Sequence, residues 1–295
     1  MSPRGGKKVR KVIIRQALAV SAVAAATAAG AARAETQLER GAYLVNVVAA
    51  CGNCHTPFGP QGPDMSRDLG GRLVEKNPAF TAYAPNITPH ETDGVGAWTD
   101  DQLRKAIREG LRPDGTIIGP PMPIMLYRGL SDADLDAMVA YLRTVPAVEG
   151  TTPKSEYNIS LPPSYGPPVS GVTAPAPGPT AEYGAYLAGP VAHCTECHTT
   201  FGPQGPMMDT HLGAGGNEWH GPWGVSVSAN LTPHEDGLAG YTDAEIDAMI
   251  RQGRRPDGEA MAPPMGYGYY ARMTDDDAAA IVAFLRTLPP LPDPH

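Results

Sequence analysis

The chain has 295 residues, a length that suggests two domains, and only 18% of its residues are charged. Its 34 glycines and 32 prolines exceed ordinary usage and predict long ordered loops between short elements. The formal net charge of −8 argues against nucleic acid as the main partner, because binding phosphates requires a basic face.

Residues 1–34 have the three-part pattern of a secretory signal peptide. A basic segment without acids comes first, an Ala- and Val-rich stretch of about 16 residues follows, and Ala32-Arg33-Ala34 is a small-residue cleavage site. The apolar stretch is shorter than the ~20 residues that span a bilayer, although an uncleaved anchor stays an alternative. Cleavage after Ala34 removes seven of the 23 basic residues and none of the 31 acidic ones, which leaves 261 residues with a net charge of −15. We therefore predict a periplasmic mature protein without a transmembrane segment.

One block of sequence occurs twice, at an offset of 143 residues, or 144 over part of its length. The matched segments are 39–44 with 182–187, 51–55 with 194–198, 86–90 with 230–234, 98–100 with 241–243, 112–115 with 255–258, 120–122 with 263–265, and 131–143 with 274–286. The repeat predicts two domains of one fold, 35–148 and 181–295.

Residues 149–180 separate the two copies and contain eight prolines among 32 residues. This composition favours an extended chain over a helix, so we interpret the segment as the linker between the domains. Its Tyr157, Leu161 and Tyr165 predict that part of the linker packs on a domain or on a partner.

Each copy is predicted to be mainly helical. An apolar stripe predicts a helix over about 37–50, and capping boxes at Thr99 with Gln102 and at Thr242 with Glu245 begin a second helix in each copy. A third helix is predicted over 131–143, with its twin beginning at Thr274. Because no run alternates long enough for a strand, we predict an all-α fold of two small helical bundles with long Gly/Pro-rich loops.

The motif Cys-x-x-Cys-His, which attaches c-type haem, occurs in both copies. It comprises Cys51, Cys54 and His55, and then Cys194, Cys197 and His198. A zinc site of four cysteines would have to bridge 143 residues, and a disulfide or redox pair leaves the two histidines unexplained. We therefore predict two covalently bound haems, one inside each helical bundle, with the histidines as iron ligands.

The sixth iron ligand is predicted from the repeat. Met122 and Met265 occupy matched positions, each in a Pro-Pro-Met segment 67 residues after its histidine, whereas Met261 is matched by an isoleucine. A methionine sulfur favours ferrous iron and raises the reduction potential. His90 and His234 are also matched and are the rival ligands, which would give a bis-histidine site.

The chain resembles the class I-type cytochrome c domains of periplasmic dehydrogenase cytochrome subunits. The motifs that carry the resemblance are Glu-Arg-Gly-x-Tyr-Leu at 39–44, Cys-x-x-Cys-His-Thr-Pro at 51–57, Pro-Asn-Ile-Thr-Pro at 85–89, Trp-Thr-Asp at 98–100, Pro-Met-Pro at 121–123, Leu-Ser-Asp-x-Asp-Leu at 130–135, and Ala-Tyr-Leu at 140–142. The resemblance implies a helical domain whose first and last helices cross, His/Met-ligated iron, and electron acceptance from a dehydrogenase of flavin, quinone or molybdenum type. Several such subunits carry three motifs and a C-terminal anchor, whereas two motifs and no anchor are found here. Thr200 replaces the matched Pro57, so we expect the second site to differ in potential.

These patterns predict a dihaem electron carrier between a partner dehydrogenase and a downstream acceptor, with no catalytic residues. The alternative is a haem enzyme, such as a dihaem peroxidase or a sulfur-compound dehydrogenase, which would need an open or displaceable sixth iron position. A second alternative is a passive haem-binding module, which would not cycle with a dehydrogenase.

Overall fold

The structure is a computed structural model that describes residues 1–2, 34–59, 62–203, 205–221 and 223–294. The predicted signal peptide therefore lies almost entirely outside the described residues. None of the helices in the described ranges is long and apolar enough to cross a membrane.

Helices occupy matched places in the two copies. They are α1 (Gln37–Tyr43), α2 (Gly52–His55), α3 (Asp100–Glu109), α4 (Ile124–Tyr127), α5 (Asp132–Leu142), α6 (Ala181–Tyr186), α7 (Cys194–Cys197), α8 (Asp243–Gln252), α9 (Tyr267–Tyr270) and α10 (Asp275–Leu285). The predicted capping boxes at the starts of α3 and α8 are confirmed, and α3, α5, α8 and α10 lie where helices were predicted. The predicted first helix divides, since α1 and α6 each continue as one turn of π-helix, Leu44–Val48 and Leu187–Val191, immediately before the cysteine motif.

Short antiparallel strands lie between these helices. They are β1 (Phe58–Gly59), β2 (Gly62–Pro63), β3 (Arg72–Lys76), β4 (Phe80–Ala84), β5 (Glu156–Tyr157), β6 (Phe201–Gly202), β7 (Gly205–Pro206), β8 (Glu218–Gly221) and β9 (Gly224–Val227). β3, β4 and β5 form one three-stranded sheet, whereas β1–β2, β6–β7 and β8–β9 are hairpins.

The prediction of an all-α fold is wrong. Helix accounts for 32% of the structure and strand for 12%, so the class is mixed α and β. The missed strands have only two to five residues, and a bulge between Leu73 and Glu75 interrupts the longest hairpin. Alternation over so few residues gives almost no periodic signal, because these strands are fixed by tertiary pairing rather than by their own pattern.

The first and last helices of each copy cross at a glycine. A Cβ atom on Gly41 of α1 would lie 2.0 Å from the Ala137 carbonyl oxygen of α5, and one on Gly184 of α6 would lie 1.8 Å from the Ala280 oxygen of α10. Only glycine permits this approach, which brings the backbones of the paired helices into contact. The crossing places the π-helical turns, and the cysteine motifs after them, against the core.

The two copies are joined by reciprocal hydrogen bonds from tyrosine hydroxyls to buried aspartates. The hydroxyl of Tyr43 donates to Asp277 at 2.6 Å, and that of the matched Tyr186 donates to Asp134 at 2.6 Å. In the first copy Arg40 also donates two hydrogen bonds to Asp134, at 2.8 and 3.0 Å. Exchanging the two copies converts one pair into the other, and both pairs lie within the compact unit Glu35–His295.

The linker packs on the first copy. The sequence had predicted packing either on a domain or on a partner. Tyr157 lies in β5 beside β4, and its hydroxyl donates to the Pro120 carbonyl at 3.0 Å. The Tyr165 hydroxyl donates to the Ile118 carbonyl at 2.8 Å. The segment before the first proposed methionine ligand is therefore held by the linker.

Candidate haem-binding site

Each motif histidine is buried and fixed in one tautomer. The Nδ1 atom of His55 lies 2.8 Å from the Pro85 carbonyl oxygen, and that of His198 lies 2.7 Å from the Ala229 oxygen. A carbonyl oxygen only accepts, so each Nδ1 carries the proton and each Nε2 keeps a free lone pair. Burial lowers the pKa of His55 to about 4 and lowers that of His198, which keeps both rings neutral. A neutral imidazole oriented by a carbonyl is the form that binds a metal.

In the second copy, His198 and Met265 line one apolar cavity together with Cys194. Its other walls are alanine, leucine, isoleucine, methionine and tyrosine side chains. Met261 also lines it, although the repeat does not match this residue with a methionine. An apolar cavity with an imidazole, a thiol and a thioether on its walls fits a haem, whose porphyrin is largely apolar and whose iron takes axial nitrogen and sulfur donors.

In the first copy, Cys51 and Met122 are partly buried and pack against the same hydrophobic core. The motif helix α2 brings His55 into that core, where its side chain is buried. The matched sequence thus forms matched local structure. In the described ranges, no group of three or more His, Cys, Asp or Glu side chains is suited to holding a metal ion, so the two cysteine pairs are not assembled into one cluster.

The rival histidines belong to their own loops. The Nδ1 atom of His90 accepts a hydrogen bond from the Asp93 amide at 3.1 Å, and that of His234 accepts one from the Asp236 amide at 3.2 Å. Each ring is about a quarter exposed, and His234 is not among the residues that line the cavity of the second copy. Both rings close a turn instead of pointing into the core.

Each cysteine motif also touches the other copy. The Asn53 side chain donates to the Pro264 carbonyl at 3.1 Å, and a Cβ on Gly52 would lie 2.7 Å from the Tyr269 hydroxyl. On the other side, the ring of His193, the residue immediately before the second motif, meets that of Tyr127 edge-on, with centroids 5.8 Å apart. The motif of one copy therefore faces the methionine-bearing region of the other, a relationship that spacing along the chain did not indicate.

The residues that join the copies were not predicted from the sequence. Tyr43 and Asp134 lie in segments that the repeat had already matched with Tyr186 and Asp277. The repeat places a tyrosine and an aspartate at matched positions in both copies, and this was the sequence feature that could have indicated their importance. Their pairing across the interface could not be read from the chain, because the partners are 234 and 52 residues apart.

Comparison with known proteins defines the class. The cytochrome c family model matches residues 38–146 and again 181–289. The chain therefore belongs to the cytochrome c family and contains two cytochrome c domains, so that it carries two c-type haems.

Several curated relatives resemble most of this chain. It is 30% identical to the fructose dehydrogenase cytochrome subunit of Gluconobacter japonicus, over 85% of this chain and 52% of that protein. It is 31% identical to the cytochrome c subunit of a quinone alcohol dehydrogenase from Gluconacetobacter polyoxogenes, over 95% of this chain and 63% of that protein. A dihaem cytochrome c-type protein of Cereibacter sphaeroides is 27% identical over 81% and 82% of the two chains. The chain thus spans about half to two thirds of the dehydrogenase subunits.

Proposed function

We propose that this protein is a periplasmic dihaem electron carrier that accepts electrons from a dehydrogenase and passes them to a downstream acceptor. The observation that carries the proposal is the cavity of the second domain, where the motif histidine and the matched methionine lie on the walls of one apolar space. The relatives named as dehydrogenase cytochrome subunits support the choice of electron donor.

The proposed attachment sites are the four motif cysteines, through thioether bonds. They are Cys51 and Cys54 for the first haem and Cys194 and Cys197 for the second. The proposed axial ligands are His55 with Met122 and His198 with Met265. The domain limits proposed for this arrangement are 35–148 and 181–295, joined by 149–180, with 1–34 as the signal peptide.

The chain's own residues would set the conditions for electron transfer. The carbonyls of Pro85 and Ala229 hold the two imidazoles neutral and oriented. Apolar side chains exclude water from the site, which lowers the reorganisation that a change in charge requires. The bound haem iron supplies the one-electron redox chemistry.

The arrangement of the two motifs supports exchange of electrons within one chain. The contact of Asn53 with Pro264 brings the first motif against the other domain, and that of His193 with Tyr127 brings the residue before the second motif against the first domain. The Tyr–Asp pairs fix this arrangement. We propose that an electron that enters either domain equilibrates between the two haems before it leaves the protein.

The test is to mix the oxidised protein with candidate periplasmic dehydrogenases and their substrates. Rapid reduction of both haems, weakened by salt, is expected for an acidic carrier that docks on a basic patch. Sustained turnover of peroxide or of a sulfur compound by the protein alone would establish the enzyme alternative. Absence of reduction by every dehydrogenase, with both haems present, would favour a passive module.

A further inference from the structure

Arg72 lies directly against the first cysteine motif. The amide of Gly71, immediately before it, donates to the His55 carbonyl at 2.6 Å. The Arg72 guanidinium donates to the Asn53 carbonyl at 2.7 Å and lies 4.7 Å from the centre of the Phe58 ring. The side chain is therefore fixed at the start of β3, beside the motif helix α2.

Within the described ranges, the charge of Arg72 has no acidic hydrogen-bond partner. Its two hydrogen bonds go to the neutral carbonyls of Asn53 and Leu73, and its buried Nε atom has no partner among the described residues. Glu75, on the same strand, accepts instead from Asn77 at 2.6 Å. A guanidinium stays protonated at any physiological pH. A full positive charge is thus held beside the first motif.

The second domain has the same scaffold without this charge. The Gly215 amide donates to the His198 carbonyl at 2.8 Å, as its match does in the first domain. This register places Gly216 where the first domain has Arg72. Gly216 has a φ of +84°, and a Cβ there would lie 2.2 Å from Pro294, so the place does not admit a side chain.

A neutral amide bonds to the second motif instead. The Asn217 side chain donates to the carbonyls of Cys197 and Thr199, both at 2.8 Å. Both domains thus fix a side-chain donor on a carbonyl of the motif, and only the donor of the first domain is charged.

Acidic residues beside the motifs act in the opposite sense. In the first domain Asp68 accepts from the Thr56 hydroxyl at 2.5 Å, and its match in the second domain is Leu212. In the second domain Glu196 lies inside the motif, at the place of Asn53. Because Asp68 and Arg72 both lie beside the first motif, the effect of charge on this site can be tested with both signs.

We propose that Arg72 raises the reduction potential of the first haem and thereby draws an electron shared by the two haems towards the first domain. Oxidation of a haem iron adds a positive charge, and a fixed cation nearby makes that step less favourable. A unit charge about 10 Å from a redox centre, at an effective dielectric constant of about 20, changes such an equilibrium roughly tenfold.

This role of Arg72 rests on the proposed function through the presence of both haems, and not through the electron donor. It gives a direction to the exchange of electrons between the domains. The two potentials are measured without a dehydrogenase, so failure of the proposed donor and failure of the role of Arg72 would be separate results.

The test is a redox titration of the protein with both haems bound, followed by NMR of the haem methyl groups, which gives the two potentials separately. Contacts with Ile246, which lines the cavity of the second domain, identify the second haem. We expect Arg72→Gln to lower the potential of the first haem alone. The equilibrium constant for exchange between the haems should shift about tenfold, or ~59 mV, towards the second. Arg72→Lys keeps the charge and should retain most of the wild-type potential.

Two further variants control for charge and place. Lys76→Gln removes an exposed charge from the other end of β3 and should change the equilibrium constant by less than about twofold, because water and salt screen that charge. Asp68→Asn removes a negative charge beside the same motif and should raise the potential of the first haem.

An unchanged first potential in Arg72→Gln, or an equal fall in the second, would overturn the proposal. If Arg72→Lys lowers the first potential as much as Arg72→Gln does, the arginine acts through its hydrogen bonds and not through its charge, and the proposal is wrong. A fall in the first potential of Asp68→Asn would contradict it as well.

Discussion

The hydroxyl of Tyr43 donates a 2.6 Å hydrogen bond to the carboxylate of Asp277, across the interface between the two cytochrome c domains. Tyr186 and Asp134 repeat this bond in the opposite direction. Both carboxylates are buried, and Asp277 depends on Tyr43 for its side-chain donor, whereas Asp134 also accepts from Arg40. The two hydrogen bonds thus hold the two domains, and the cysteine motifs they contain, in a fixed relative position.

Replacing Tyr43 by phenylalanine should lower the free energy of unfolding by about 1–3 kcal/mol, because the buried Asp277 carboxylate loses its donor. Tyr186→Phe should cost less, because Asp134 keeps its hydrogen bonds from Arg40. Chemical denaturation of the protein with haems bound measures the change. Tyr83→Phe is the control, since the hydrogen bonds of Tyr83 with the described Ser155 side chain use its backbone and not its hydroxyl. Equal effects of all three substitutions would show that the interface hydrogen bonds make no specific contribution to the free energy of unfolding.

The same tyrosines predict a loss of stability at alkaline pH. Burial, and then the hydrogen bond to Asp277, raises the pKa of Tyr43 above its ordinary value, and burial beside Asp134 does the same for Tyr186. The unfolded chain loses these protons near pH 10 while the folded chain keeps them. The stabilisation is therefore complete below about pH 10 and falls as the pH rises towards the folded pKa values. Unfolding midpoints from pH 8 to 12 should converge with those of the Tyr43→Phe/Tyr186→Phe variant, and parallel curves would refute the assignment.

Met265→Ala should abolish the weak far-red sulfur-to-iron band of the second haem and lower its reduction potential, because a harder ligand or water favours ferric iron. Met122→Ala should do the same for the first haem. Each variant therefore removes roughly half of the band. Spectroelectrochemistry measures both quantities.

Met261→Ala is the control for Met265→Ala, since both side chains line the same cavity. Its spectrum should keep the full band. If Met261→Ala removes the band and Met265→Ala does not, Met261 is the iron ligand and the assignment from the repeat is wrong. If neither does, His234 becomes the ligand to test.

Gly184→Ala should prevent folding of the second domain or cost several kcal/mol, since the added Cβ would overlap the Ala280 carbonyl of the crossing helix. The yield of protein with two haems and its unfolding midpoint measure the effect. Gly189→Ala is the control, because a Cβ there meets no atom within 4 Å. If Gly184→Ala is as stable as Gly189→Ala, α6 and α10 can move apart at little cost in free energy, which contradicts the prediction.

Gly119→Ala should release the linker from the first domain, because its Cβ would lie 2.6 Å from the Tyr157 ring and 2.8 Å from Leu161. Faster hydrogen exchange over 153–165 is the expected result. The second domain already has Ala262 at the matched position and no linker over it. Gly268→Ala, in open space, should leave the exchange of 153–165 unchanged.

The sequence by itself determined the duplication, the helices with capping boxes and the two cysteine motifs. Thr99 with Gln102 and Thr242 with Glu245 act within four residues, and Cys-x-x-Cys-His lies within five, so local spacing carries these features. Met122 and Met265 were chosen by matching the copies, and they stay a prediction.

Only the tertiary structure decided the strands, the joining of the domains and the path of the linker. β8 and β9 are short and exposed, so their formation depends on pairing with each other rather than on an amphipathic pattern. Tyr43 meets Asp277 across 234 residues, a contact that the crossing of α1 and α5 and of α6 and α10 makes possible. The linker contacts the first domain because β4 and the Pro120 carbonyl offer backbone partners there, and composition alone could not distinguish that domain from a partner.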